Sequence, residues 1–203
     1  MTSTSFEKFG GLCAVATGVS GFLYSVAFII ISRSAPNLGG LLSALFLMLG
    51  GLLATAALVA VYNRLRETEA AFALWALLLG LVGAIGSVIH GGYDLANAIN
   101  PPASPNLGLP NPIDPRGLLT FGVAGVALFV VAWLIGRGGQ FPRGFGYLGY
   151  VSAVLLIVLY LGRLIVLEAT SPVIVVPALL EGFLVNPIWY IWLGVALWRG
   201  QSA

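Results

Sequence analysis

Six long apolar stretches, separated by little more than short clusters of charge, proline and glycine, constrain this chain before any motif does. They run roughly over Phe9–Ser32, Leu38–Tyr62, Ala70–Gly92, Gly117–Gly136, Gly144–Leu167 and Val173–Trp198. At ~1.5 Å per residue each is long enough to cross ~30 Å of hydrocarbon. That layer holds no water to bond a backbone, so only helices or a closed barrel can span it. Barrel strands alternate in polarity over about 10 residues, whereas these stretches are longer and continuously apolar. The sequence therefore predicts an all-α membrane protein: a six-helix transmembrane bundle, one integral domain over residues 1–203. Composition agrees. Charged residues make up 8% of the chain, against about 25% in a soluble domain. A soluble fold has nowhere to bury so much apolar surface.

The segment from Met1 to Lys8 has a single lysine, and no small-residue cleavage site follows the first apolar stretch, which reads as a retained span rather than a removed leader. Cys13 is the only cysteine. It has no partner for an internal disulfide, and its apolar surroundings suit a packed thiol. The net charge of +2 is small and scattered, so no basic patch argues for nucleic acid.

Lysine and arginine set the expected orientation. Six spans put Lys8, Arg64, Arg66, Arg137, Arg143 and Arg199 on one side, and only Arg33 and Arg116 flank the other. That bias predicts both termini in the cytoplasm. The aromatic residues Trp189, Tyr190, Trp192 and Trp198, with Trp75 and Trp133, crowd the same side, as interfacial rings do. The connection Asn100–Arg116 carries six prolines and excludes a helix. It reads either as a functional loop or as a stiff strap between the third and fourth spans. The second-third and fourth-fifth hairpins share a polarity, which a weak parallel repeat would produce.

Depth counting along the spans brings the polar residues toward one half of the membrane. His90 and Asp94, four residues apart, share a face of the third span. Arg163 lies five residues before Glu168 near the end of the fifth span. Glu181 lies in the sixth span between Pro177 and Pro187, at a depth of roughly 13 Å, with Asn186 deeper. Ionisable groups inside a membrane are costly and mark candidate functional sites. An arginine there needs a partner or water, and Glu181 or Asp94 is the expected partner of Arg163. Each proline removes a backbone donor, which frees the carbonyls of Val173 and Phe183 to line a polar space. The expected site is His90, Asp94, Arg163, Glu181 and Asn186. The bland reading is a buried ion pair that only locks helix packing.

Several chemistries are excluded. No span contains a lysine for a Schiff base. The single histidine cannot ligate haem from both faces, and His90 with Asp94 falls short of the three or four ligands zinc takes. The expectation is no cofactor and no metal. Glycines 80, 83 and 86 read as a groove for another helix, not a nucleotide fingerprint.

Two segments carry a family resemblance: Phe141-Pro-Arg-Gly-Phe-Gly-Tyr-Leu-Gly-Tyr opening the fifth span, and Asn186-Pro-Ile-Trp-Tyr-Ile-Trp-Leu-Gly closing the sixth. Together they resemble a family of small multi-spanning bacterial membrane proteins catalogued as a domain of unknown function (type 4386). The resemblance implies a bacterial integral membrane protein of about six helices and carries no activity or catalytic residue.

The expected function is a bacterial inner-membrane protein that binds or passes a small ligand, proton or lipid headgroup through a polar pocket in the outer leaflet. In it Arg163 holds an anionic group or Glu181, and Glu181 carries an exchangeable proton. Besides the lipid bilayer, two other kinds of partner suit the chain. A structural or accessory subunit would dock a membrane protein through Gly18, Gly21, Gly80, Gly83 and Gly86. A membrane enzyme acting on a lipid-like substrate would use His90 and Asp94 as an acid–base pair.

Overall fold

A computed structural model describes residues 4–101, 117–166, 168 and 170–199; most of the proline-rich connection expected over 100–116 lies outside the described residues. Six helices are long and apolar enough to cross a membrane: α1 Ser5–Ser34, α2 Pro36–Leu65, α3 Ala70–Ile99, α4 Leu119–Gly138, α5 Arg143–Ile165 and α6 Pro172–Arg199. No strand occurs among the described residues. The observed helices overrun the expected spans by a few residues at most ends, because caps rather than apolarity decide where they stop.

Those caps are legible chemistry. Thr4 and Glu7 form a capping box: Glu7 N–H donates to Thr4 Oγ1 (3.2 Å), and Thr4 N–H donates to Glu7 Oε2 (2.7 Å). Proline opens α2 at Pro36 and α6 at Pro172, where its missing donor would have been unpaired anyway. Gly139 ends α4 with φ +71°, a left-handed turn that suits glycine.

Each helix packs on its neighbour in sequence, and α6 closes back on α1, so the six form a ring. The interior is built from small residues. Ala14, Ala57, Ala60, Ala132 and Ala153 are fully buried, while many leucines, valines and isoleucines face outward. This inversion is expected in lipid, where hydrocarbon is as good a neighbour for leucine as another helix. Close approach is tight on several seams: a side-chain carbon at Gly194 would stand 2.5 Å from the Gly11 carbonyl oxygen between α6 and α1, and one at Gly91 2.6 Å from the Ala44 carbonyl oxygen between α3 and α2.

The glycines named above as docking surfaces are occupied within the chain. Gly18 faces Pro187 and Tyr190, Gly21 faces Asn186, Gly80 faces Leu58, and Gly83 and Gly86 pack on Leu119 of α4. They pack on the bundle's own seams.

At the end carrying the termini, Arg64 joins three helices. It is 4% exposed. Its Nε donates to Glu7 Oε1 at 2.8 Å, and its two terminal nitrogens donate to the Ala196 and Leu197 carbonyls at 2.9 Å each. Those carbonyls lie in the last turn of α6 and lack helical donors, so the guanidinium caps α6 while neutralising Glu7. Its carbon also stands 5.4 Å from the centre of the Phe141 ring. In the sequence Arg64 served only as one of the charges that set orientation; in the structure it is buried. Three helix ends meet around it and exclude water.

Candidate functional site

The ring encloses an elongated cavity of about 600 Å³, lined by residues of all six helices. It runs from Arg33 and Arg163, at the end opposite the termini, down to Thr17 and Trp189. On α1 that is roughly 20 Å of helix. Three helices depart from α geometry beside it. Val26–Ile31 in α1, Leu118–Val123 leading into α4, and Glu181–Val185 in α6 are π-helical. Such widened turns are rare and frequent at functional sites. The one in α6 has a local cause. Pro187 cannot donate to the carbonyl four residues back, and its ring crowds that carbonyl. The turn before it loosens, and the Asn186 N–H reaches Glu181 O, five residues back.

Glu181 opens this π-helical turn and is 5% exposed. Ser152 Oγ of α5 donates to Glu181 Oε1 at 2.5 Å. The Asn186 amide is also placed to bond the carboxyl. Even so, Glu181 Oε2 is buried with no hydrogen-bond partner among the described residues. The same is true of Trp189 Nε1, on an indole that is 2% exposed. Trp189 stacks on Phe145 with ring centres 4.9 Å apart, which fixes its plane. Both residues line the cavity. The wall at its deep end therefore holds one carboxyl oxygen and one N–H that are buried and have no hydrogen-bond partner among the described residues, and leaving such groups unpaired costs about 1–3 kcal/mol each.

The mouth has a different chemistry. Arg33 and Arg163 are exposed and line the cavity, and neither has an ion-pair partner among the described residues. Below them, Tyr24 stacks on Phe28 at 5.6 Å and lies within electrostatic reach of Arg163 and Asp94.

Of the five residues predicted from sequence, the cavity brings together Arg163, Glu181 and Asn186. The expected ion pair of Arg163 with Glu181 or Asp94 is not formed. Arg163 lies eleven residues beyond Ser152 on α5, hence ~16 Å farther along the axis. No arginine side chain reaches back over that distance to a carboxyl held at Ser152. His90 and Asp94 pair with each other, Nε2 to Oδ2 at 3.2 Å, as their spacing predicted. They are not among the residues that line the cavity.

Ser152, Trp189 and Arg33 were missed as site residues. Ser152 had a signal, being the one serine or threonine between Arg143 and Ile165. Trp189 was read with the interfacial rings. Trp75 and Trp198 are indeed exposed, but Trp189 faces the interior. Arg33 counted only as a flanking charge. Comparison of the chain with protein-family models, with curated proteins and with solved structures finds no match.

Proposed function

We propose that this protein is a bacterial inner-membrane protein that binds a small or amphipathic ligand inside the membrane, in the cavity anchored at its deep end by Glu181. The observation that carries this reading is that Glu181 and Trp189 line one cavity and each keeps a buried polar atom, Oε2 and Nε1, with no partner among the described residues. A pair that only locked α5 to α6 would be expected to leave no buried carboxyl oxygen without a partner. A hydroxyl or amide brought in by a ligand has a donor to offer Glu181 Oε2 and an acceptor to offer the Trp189 N–H. The exchangeable proton of the site is assigned to the Glu181 carboxyl. The excess of arginine and lysine at the termini end, six residues against Arg33, Arg116 and Arg163, supports cytoplasmic termini. The mouth then opens toward the outer leaflet.

The test is native mass spectrometry of protein extracted from its membrane into mild detergent. Wild type should carry a bound small-molecule or lipid adduct. Glu181→Gln should lose it while keeping the same helicity and a monodisperse elution profile. Equal retention by a folded Glu181→Gln protein would sink the reading.

A further inference from the structure

The two ends of the cavity differ in what they can recognise, and the mouth names a ligand class that the floor does not. Arg33 lies one residue before the end of α1, and Arg163 two before the end of α5. Both guanidiniums border the same space without a counter-ion among the described residues. Between them and Glu181 the wall is mostly apolar, with Phe28, Ile29, Leu159 and Ile174 among its residues and Tyr24 and Ser32 as polar breaks. Two always-charged forks above an apolar shaft form the complement of a molecule with an acidic head and a hydrocarbon tail. Guanidinium suits phosphate or carboxylate oxygens because its donors match their spacing. In water each arginine would be solvated at little cost. At the rim of a hydrocarbon layer, an anion shared by two arginines is a better partner than either finds alone. The space is elongated along the bundle axis, which fits a chain rather than a fused-ring body.

We propose that the ligand is an anionic single-chain amphiphile, its head held between Arg33 and Arg163 and its chain descending toward Trp189. This rests on the cavity-binding reading above but uses different residues, so the two can fail separately. The head could be a free anion or part of a lipid, and the probes below distinguish these sources.

The experiment uses the full chain in nanodiscs of neutral phosphatidylcholine. Saturable quenching of indole fluorescence is read during titration with 12-bromododecyl phosphate, with 12-bromododecanol, and with inorganic phosphate as competitor. The bromine sits at the chain end, where Trp189 would report it. The phosphate amphiphile should bind wild type at least tenfold more tightly than the alcohol. The double variant Arg33→Gln/Arg163→Gln should erase that preference and leave the alcohol's binding unchanged. Inorganic phosphate should compete only weakly. Equal binding of alcohol and phosphate by wild type, or an undiminished preference in the double variant, would overturn the headgroup assignment and leave the cavity reading standing. Full competition by inorganic phosphate would overturn the amphiphile in favour of a free anion. No saturable quenching by either amphiphile would overturn both readings.

Discussion

The chain uses arginine and glutamate twice, with opposite results. At the termini end, Arg64 and Glu7 are closed on each other, and each has further bonds, to the Ala196 and Leu197 carbonyls and to Thr4. In the cavity, Arg163 has no ion-pair partner among the described residues, and Glu181 uses one of its two oxygens on Ser152. The difference is geometric. Arg64 sits where three helix ends converge, so a donor, an acid and two orphan carbonyls fall within reach. Arg163 and Glu181 lie on helices whose contact places them ~16 Å apart along the axis. A membrane protein that could close one such set did not close the other. The open set is therefore read as a place kept for a ligand, and the closed set as a structural clamp.

Four substitutions probe that contrast, in order of expected effect. Arg64→Ala strands Glu7 and two carbonyls at a buried junction and should cost about 3–5 kcal/mol. It should lower the midpoint of thermal unfolding in detergent more than any cavity substitution does. A midpoint equal to wild type would remove the clamp from the account. Gly194→Leu forces side-chain atoms into the α1–α6 seam, against Gly11 and Val15. It should cost about 1–3 kcal/mol, read from the same unfolding curve. An unchanged curve would show that the seam is looser than described.

Ser152→Ala removes the hydroxyl that donates to Glu181 Oε1 and should cost about 1 kcal/mol. Its sharper readout is ligand retention, which should fall with the carboxyl's orientation. If stability drops as far as in Arg64→Ala, the Ser152–Glu181 pair is a clamp too and the contrast fails. Arg163→Gln removes a charge that makes no ion pair and should change stability by no more than about 0.5 kcal/mol. A large loss would mean that the guanidinium holds the fold together.

Much of the fold was legible because each signal acts locally. Apolar length predicts a span, and Pro36, Pro172 and Gly139 mark where helices begin or end. The site was legible by depth alone. Depth put Glu181, Asn186 and Arg163 in one half of the bundle, and the cavity does bring those three together. Depth carries no information about which way a side chain faces around its helix, and counting from the span ends also set Arg163 and Glu181 too close: they lie ~16 Å apart along the axis, and the expected pair does not form. Burial of Arg64 was not legible either, since it depends on three helix ends meeting. Beside Arg66 it looks like any other interfacial charge. Trp189 and Tyr190 sat in a cluster of aromatics in which Trp75, Trp192 and Trp198 do face outward, so composition concealed the two that line the cavity.

A space that reaches from the mouth toward the Glu181 carboxyl should admit a water-soluble thiol reagent. In a Cys13→Ser background, Ala178→Cys would line the cavity one turn above Glu181, whereas Val176→Cys at nearly the same depth would face lipid. A charged, membrane-impermeant methanethiosulfonate added from the side opposite the termini should label Ala178→Cys and leave Val176→Cys untouched. Silence at both positions, or equal labelling of the two, would contradict the account.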